Sequence, residues 1–238
     1  MINKKNRKYL LKGIIDMLPF NLAVLPWGIL CGSLAIQRGM SELEAILMPL
    51  LVFAGAVQLV SIELIAGNAS IASILITTFI ISSRHFLYGL SLRNKVQNLN
   101  SKQRYLIGFL LTDELFALSS SKKAFQHHQR FIYGLAAGGS FYFFWLVWNV
   151  LGVYAGSVLP NLTNLGLDFA IAVTFIALVI PSIKSMATLT AVVVSALLSV
   201  LMTLYELPFV LVGASLCAML AGFIVCRKSN RIVEGRGK

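Results

Sequence analysis

Long apolar runs separated by brief polar punctuation dominate this chain. They cover residues 17–37, 43–66, 70–90, 105–120, 131–156, 166–183, 185–203 and 206–226. About 20 apolar residues of helix cross a hydrocarbon layer about 30 Å thick, and inside that layer a helix satisfies its own backbone polar groups. The pattern predicts an all-α polytopic membrane protein with about seven or eight transmembrane helices and short loops. A basic segment, 1–16, leads into one transmembrane domain, 17–226, and a basic tail, 227–238, follows it. The weakest run, 105–120, is short and contains Thr112, Asp113 and Glu114, so it reads as a span or as a re-entrant segment.

Several runs predict broken helices. The first contains Pro19, Pro26 and Gly28. Proline removes a ladder bond, and in hydrocarbon the freed carbonyls need protein or a water-lined cavity. That leaves two readings, a kinked helix packed on its neighbours or an unwound stretch that meets a substrate. Small-residue steps at Gly28–Gly32, Gly134–Gly138 and Gly152–Gly156 predict close helix–helix packing. A weak internal echo pairs the TFI at 78–80 with the TFI at 174–176, and Gln58 with Asn149 at a similar offset. A three-helix unit repeated in this way would be inverted, as in many transporters.

Composition sharpens the class. Of 238 residues, 58% are hydrophobic and 12% charged, against about 45–50% and about 25% in soluble domains. The mean hydropathy is +0.82. A disordered tail, a disulfide scaffold and an ordinary soluble enzyme are excluded. The net charge of +11 resides mainly at the ends: Lys4, Lys5, Arg7, Lys8 and Lys12 at one, Arg227, Lys228, Arg231, Arg236 and Lys238 at the other. Basic ends beside apolar spans read as cytoplasmic anchors and give no sign of nucleic-acid binding. With both termini inside, inner segments hold 14 Lys/Arg and outer loops five, although the outer loop 91–104 carries four of those five. The first run is long enough to span and lacks a cleavage pattern, so it reads as a retained helix. Cys31, Cys217 and Cys226 read as small buried hydrophobes.

An ionisable group at mid-membrane costs about 2.5–3.5 kcal/mol on insertion scales, so each needs a partner, a cavity or the headgroup region. Gln58 suits an amino-acid head group or an interhelical bond. Glu63 reads as an interfacial carboxylate or a proton-coupling group. Arg84 and Tyr88 share a helix face. Arg84 can grip a carboxylate bidentately, pair with an acid on another helix, or snorkel to the headgroups with Tyr88 in the aromatic belt. Asp113 and Glu114 are the first-choice functional pair, able to bind an ammonium, carry a proton or form a structural ion pair. Asn149 stands out among aromatics that include Trp145 and Trp148, which read as lipid-facing and packing surface; it bonds another helix or contacts substrate. Asp168 reads as a helix cap, and His85 as a packing residue. His127 and His128 sit in a basic loop and do not suggest a metal site. No nucleotide-binding, metalloprotease or nucleophile-elbow motif occurs, so no cofactor, metal or enzymatic centre is expected.

The stretches FAGAVQL, SRHFLYGLSL, TDELFAL, WNVLGVYAG and GLDFAIAVTFIALVIP occur in this order along the chain. As an ordered set they resemble the AzlC family of branched-chain amino-acid exporters over nearly the whole chain. That resemblance implies a bacterial inner-membrane permease exporting valine, leucine, isoleucine or methionine in exchange for protons. It also implies a small second membrane subunit of the AzlD type as partner. Gln58, Arg84, Asp113 and Glu114 fall within the matching motifs. The competing readings are a scaffold subunit whose partner sets the substrate, and a passive channel.

Overall fold

The computed structural model describes residues 4–121, 129–158, 173, 176, 179, 180, 183–205, 207 and 210–235. Among them every regular element is helical. Two units divide the chain, Met1–Phe175 and Ile176–Lys238. Most of the expected span 166–183 and its Asp168, and the pair His127 and His128, lie outside the described residues.

The first helix starts at Lys4, well before the expected boundary at 17: α1 runs Lys4–Ala23 and α2 runs Leu25–Gln37, bent by 52° between them. Pro26 is the cause. It falls in the first turn of α2, where a missing N–H is tolerated, but it leaves the carbonyl one turn earlier without its ladder donor. The basic leader is thus the first part of a packed helix. Met17 is fully buried, and a Cβ on Gly13 would sit 2.6 Å from the Tyr133 carbonyl oxygen.

Two further expected spans are also divided. Residues 43–66 form α3 (Glu42–Leu51) and α4 (Gly55–Ala66), separated by Val52–Ala54. A reciprocal cap starts α3, with Ser41 N–H donating to Glu44 Oε2 at 2.8 Å and Glu44 N–H donating to Ser41 Oγ at 3.3 Å. No side chain caps α4, whose N-cap is Ala54. Residues 105–120 likewise form the end of α7 (Ser101–Phe109) and most of α8 (Asp113–Ser121), with a break at Leu110–Thr112.

Between these pairs, α5 (Ile71–Ser82) and α6 (Arg84–Val96) run as one 26-residue apolar rod, and α9 (Arg130–Val158) is a 29-residue helix. At 1.5 Å per residue they span about 39 and about 44 Å, enough to cross a bilayer. In the second unit, α10 (Met186–Leu204) meets the same test and packs on α11 (Val210–Gly235). Gly222 permits that contact: a Cβ would stand 3.1 Å from the Ala187 carbonyl oxygen. By length and apolarity, three described helices cross a membrane, or four with the bent α1–α2 pair.

The centre of the first unit is α9, with α2 laid along it and α1 beside it. The Gly28–Gly32 and Gly152–Gly156 steps meet here. A Cβ on Gly32 would lie 2.7 Å from Val153 N, one on Gly152 2.5 Å from the Ile29 carbonyl oxygen, and one on Gly156 2.6 Å from Ser33 Cα. Two backbones approach directly, as the small-residue spacing predicts. Around them Met17, Cys31, Leu115, Tyr133, Phe141 and Trp145 form the buried core. The outer surface carries exposed Ile15, Leu22, Leu51, Ile71, Phe79, Phe86 and Leu90. None of the most apolar stretch of α5–α6 is buried. A soluble unit of this size does not leave so much contiguous apolar surface open, and lipid is the solvent that suits it.

Candidate functional site

Two polar centres stand out against this apolar background. The first lies where α4 meets α9. Gln58 and Asn149 are both fully buried. The Gln58 amide donates to Asn149 Oδ1 at 2.9 Å, and Asn149 Nδ2 donates to its own helix at the Trp145 carbonyl, also at 2.9 Å. The 91-residue offset seen in the sequence is therefore a direct contact between two helices. Gln58 Oε1 is left without a partner. So is the indole N–H of Trp145, a residue only 2% exposed. The two residues meet the start of α4. Gln58 is in its first turn, and a Cβ on Gly55 would meet the Trp145 ring at 3.2 Å and the Trp27 ring at 3.0 Å.

Asn21, in the last turn of α1, extends this polar interior and is fully buried. Its backbone carbonyl accepts from the Trp148 indole at 2.8 Å, its Nδ2 donates to Ser140 Oγ at 3.4 Å, and its Oδ1 has no partner. The sequence pattern does not single out Asn21, and Trp145, expected among lipid-facing and packing aromatics, packs in the core. The available signal for Asn21 was a lone amide between Pro19 and Pro26. For Trp145 there was none, because a buried and a lipid-facing indole look alike in an apolar run.

The second centre is charged. Arg84 opens α6 at the Ser83 joint, and its guanidinium meets Asp113 Oδ2 at 3.0 Å across to the first turn of α8. Arg84 therefore lies inside the long α5–α6 rod, away from the end of a span. The Arg84 and Asp113 side chains are 33% and 16% exposed, and Arg84 Nε and Asp113 Oδ1 remain unpartnered. Glu114, half-buried, stands next to Asp113 and Thr112 and also faces Arg84 and Tyr88. Tyr88 stacks on Phe116 of α8 with ring centroids 4.5 Å apart, and His85 meets Tyr88 edge-on at 5.6 Å. The broken start of α8 accounts for the acids, since a first turn presents orphan amides that favour negative charge. Thr112 Oγ1 already accepts the Leu115 amide at 3.4 Å.

Glu63 belongs to neither centre. Its carboxylate pairs with Arg38 at 2.9 Å, with the two side chains 47% and 48% exposed. An open apolar groove of about 690 Å³ runs along α4 and α5, lined by Val57, Leu75, Ile76, Thr78, Phe79 and Ser82.

Comparison with known proteins agrees with the motifs. Residues 19–159 match the family described as AzlC protein. The inner membrane protein YgaZ of Escherichia coli (strain K12) is 29% identical over 222 residues, covering 90% of this chain and 89% of its own. A membrane protein of Archaeoglobus fulgidus is 34% identical over 175 residues, 73% of this chain and 75% of its own. The branched-chain amino acid transport protein AzlC of Bacillus subtilis (strain 168) is 26% identical over 163 residues, 68% and 63% of the two chains. No solved structure matches the chain. With the family matched from α1 to the end of α9, and with relatives aligned over most of their length, the chain belongs to the AzlC family.

Proposed function

We propose that this chain exports branched-chain and other large neutral amino acids (valine, leucine, isoleucine, methionine) across a bacterial cytoplasmic membrane in exchange for protons. A small AzlD-type membrane subunit works beside it, and the basic termini face the cytoplasm. Family membership and the name of the Bacillus subtilis relative support the transport reading. The observation that carries it is the Arg84–Asp113 pair with Glu114 beside it, held at the broken start of α8 in an otherwise apolar chain. Ionisable groups inside a membrane domain mark ion and substrate pathways.

The chemistry divides the two acids. Arg84 pairs with Asp113 and balances its charge. Glu114 has no cation of its own, so an ionised Glu114 leaves the cluster with one surplus negative charge and a protonated Glu114 leaves it neutral. Proton binding and release at Glu114 then change the charge that α6 and α8 share, which is the bias an alternating-access step needs. Gln58 and Asn149, with Tyr88 lining the charged centre, contact the passing amino acid.

Efflux of preloaded radiolabelled valine, leucine and methionine tests this, in cells expressing the chain with and without a candidate small subunit, before and after a protonophore. Protonophore-sensitive efflux that requires both chains is expected. Membrane-inserted protein that produces no efflux in either setting refutes the proposal. Glu63→Gln provides a contrast. An exposed pair contributes at most about 1 kcal/mol, so its efflux is expected to stay within about twofold of wild type; a larger loss would move the coupling acid to Glu63.

A further inference from the structure

We infer that the zwitterionic head group of the substrate is held by uncharged groups of the core: its carboxylate by the first-turn amides of α4 and the Trp145 indole N–H, its ammonium by Gln58 Oε1. The inference rests on the amino-acid transport reading above and assigns its binding atoms.

Three observations converge on the start of α4. The helix has 12 residues and no side-chain cap at Ala54. Gln58 N–H donates to the Ala54 carbonyl at 2.9 Å, so the amides of Gly55, Ala56 and Val57 are the ones that lack partners within the helix and carry the positive end of the dipole. The Trp145 indole, 2% exposed, sets its Cη2 edge against Gly55 at that end and has an unpartnered N–H. Gln58, fully buried in the same turn, donates through Nε2 to Asn149 and leaves Oε1 unpartnered. A buried polar atom without a partner costs about 1–3 kcal/mol, and native folds retain few of them without a reason. Here a donor and an acceptor stay open on the two residues that meet an uncapped helix end. A carboxylate needs donors and an ammonium needs acceptors. A zwitterion carries both and no net charge, so an uncharged pocket accepts it without a counter-ion. Broken helices in other transporters present half-helix N-termini to carboxylates in this way.

The charged centre is a poorer cradle for the same group. The Arg84 guanidinium is already committed to Asp113 at 3.0 Å, and a substrate carboxylate would have to displace that acid. The arrangement at α4 also explains Gly55. Its hydrogen faces both the Trp27 and the Trp145 rings at contact distance, so any side chain would push the indole away from the amides it accompanies.

The test is equilibrium binding of tritiated leucine to the full chain in lipid nanodiscs, alone and together with a candidate small subunit. Leucine methyl ester (no carboxylate) and 4-methylpentanoate (no ammonium) serve as competitors. Wild type is expected to prefer leucine to either competitor by at least tenfold. Trp145→Phe preserves the ring and removes the N–H. It should weaken leucine at least fivefold and leave the methyl ester unchanged. Gln58→Leu should weaken leucine at least tenfold and leave 4-methylpentanoate unchanged. If that variant is not monodisperse on size exclusion, Gln58→Asn, one methylene shorter, takes its place with the same expectation. Wild type that binds leucine while both variants match it overturns this assignment and spares the transport reading, as does a methyl ester that binds as tightly as leucine. Wild type that binds no leucine in either preparation overturns both.

Discussion

Leucine at position 32 is expected to eliminate the folded protein. Gly32 faces the Val153 nitrogen and the Gly152 carbonyl carbon, which a Cβ would approach at 2.7 and 2.9 Å. These are backbone atoms of a 29-residue helix, so no rotamer change relieves the contact. Overpacking a core that can yield costs about 1–3 kcal/mol. Here the two helices themselves would have to separate, and the cost exceeds that range. The separation would pull Gly28 and Gly156 out of register and take the Gln58–Asn149 bond with them. Fluorescence-detected size exclusion of a tagged protein should show the monodisperse peak lost in Gly32→Leu. Gly139→Ala is the control: nothing lies within 4 Å of a Cβ on Gly139, and alanine is the better helix former. A normal peak for Gly32→Leu would mean that α2 and α9 are not pressed backbone to backbone.

Asparagine at position 113 is expected to lower efflux by more than tenfold, and by a different route from glutamine at 114. Removing one partner of a buried ion pair costs about 3–5 kcal/mol because the other charge is left uncompensated. With Arg84 33% exposed, the cost here is discounted to about 2 kcal/mol. Asp113→Asn leaves Arg84 without its acid, disturbing the contact that ties α6 to α8, so uphill efflux and leucine–leucine exchange should fall together. Glu114→Gln keeps the pair intact and fixes the neighbouring acid in a neutral form. Exchange should persist while protonophore-sensitive uphill efflux disappears. The Arg84→Asp/Asp113→Arg double variant should recover part of the exchange that either single variant loses. If Asp113→Asn transports normally, or if Glu114→Gln keeps full proton dependence, the division of roles between the two acids is wrong.

The helical membrane class and the glycine contacts were legible in the sequence because both arise from local spacing. Apolar run length sets one, and a four-residue step sets the other. Pro26 announced the bend between α1 and α2. The breaks at Val52–Ala54 and Leu110–Thr112 had weaker warnings. Apolar length alone does not reveal a helix interrupted by ordinary residues, and this is why 43–66 looked continuous. Among polar residues, identity was readable and pairing was not. Gln58, Asn149, Arg84 and Asp113 each stood out as costly in an apolar run. That Gln58 bonds Asn149 depends on where α4 crosses α9, which no local pattern encodes. Asn21 was hidden by the prolines on either side of it. The open N–H of Trp145 depends on what its indole fails to meet, and composition carries no trace of that.

The glycine seam between α2 and α9 also has a consequence in time. Asn21 bonds Trp148 across 127 residues of chain, and the Gly32 surface waits for Gly152 across a similar distance. Synthesis at about 5–20 residues per second delivers that much chain in about 6–25 s. Throughout that interval the bent α1–α2 segment lies in the bilayer without the neighbour that fits it, its proline-freed carbonyl and its glycine face open to lipid, water or insertion machinery. Nascent chains stalled before α9 emerges should therefore crosslink to the insertion apparatus through α2, and chains stalled after Gly156 should not.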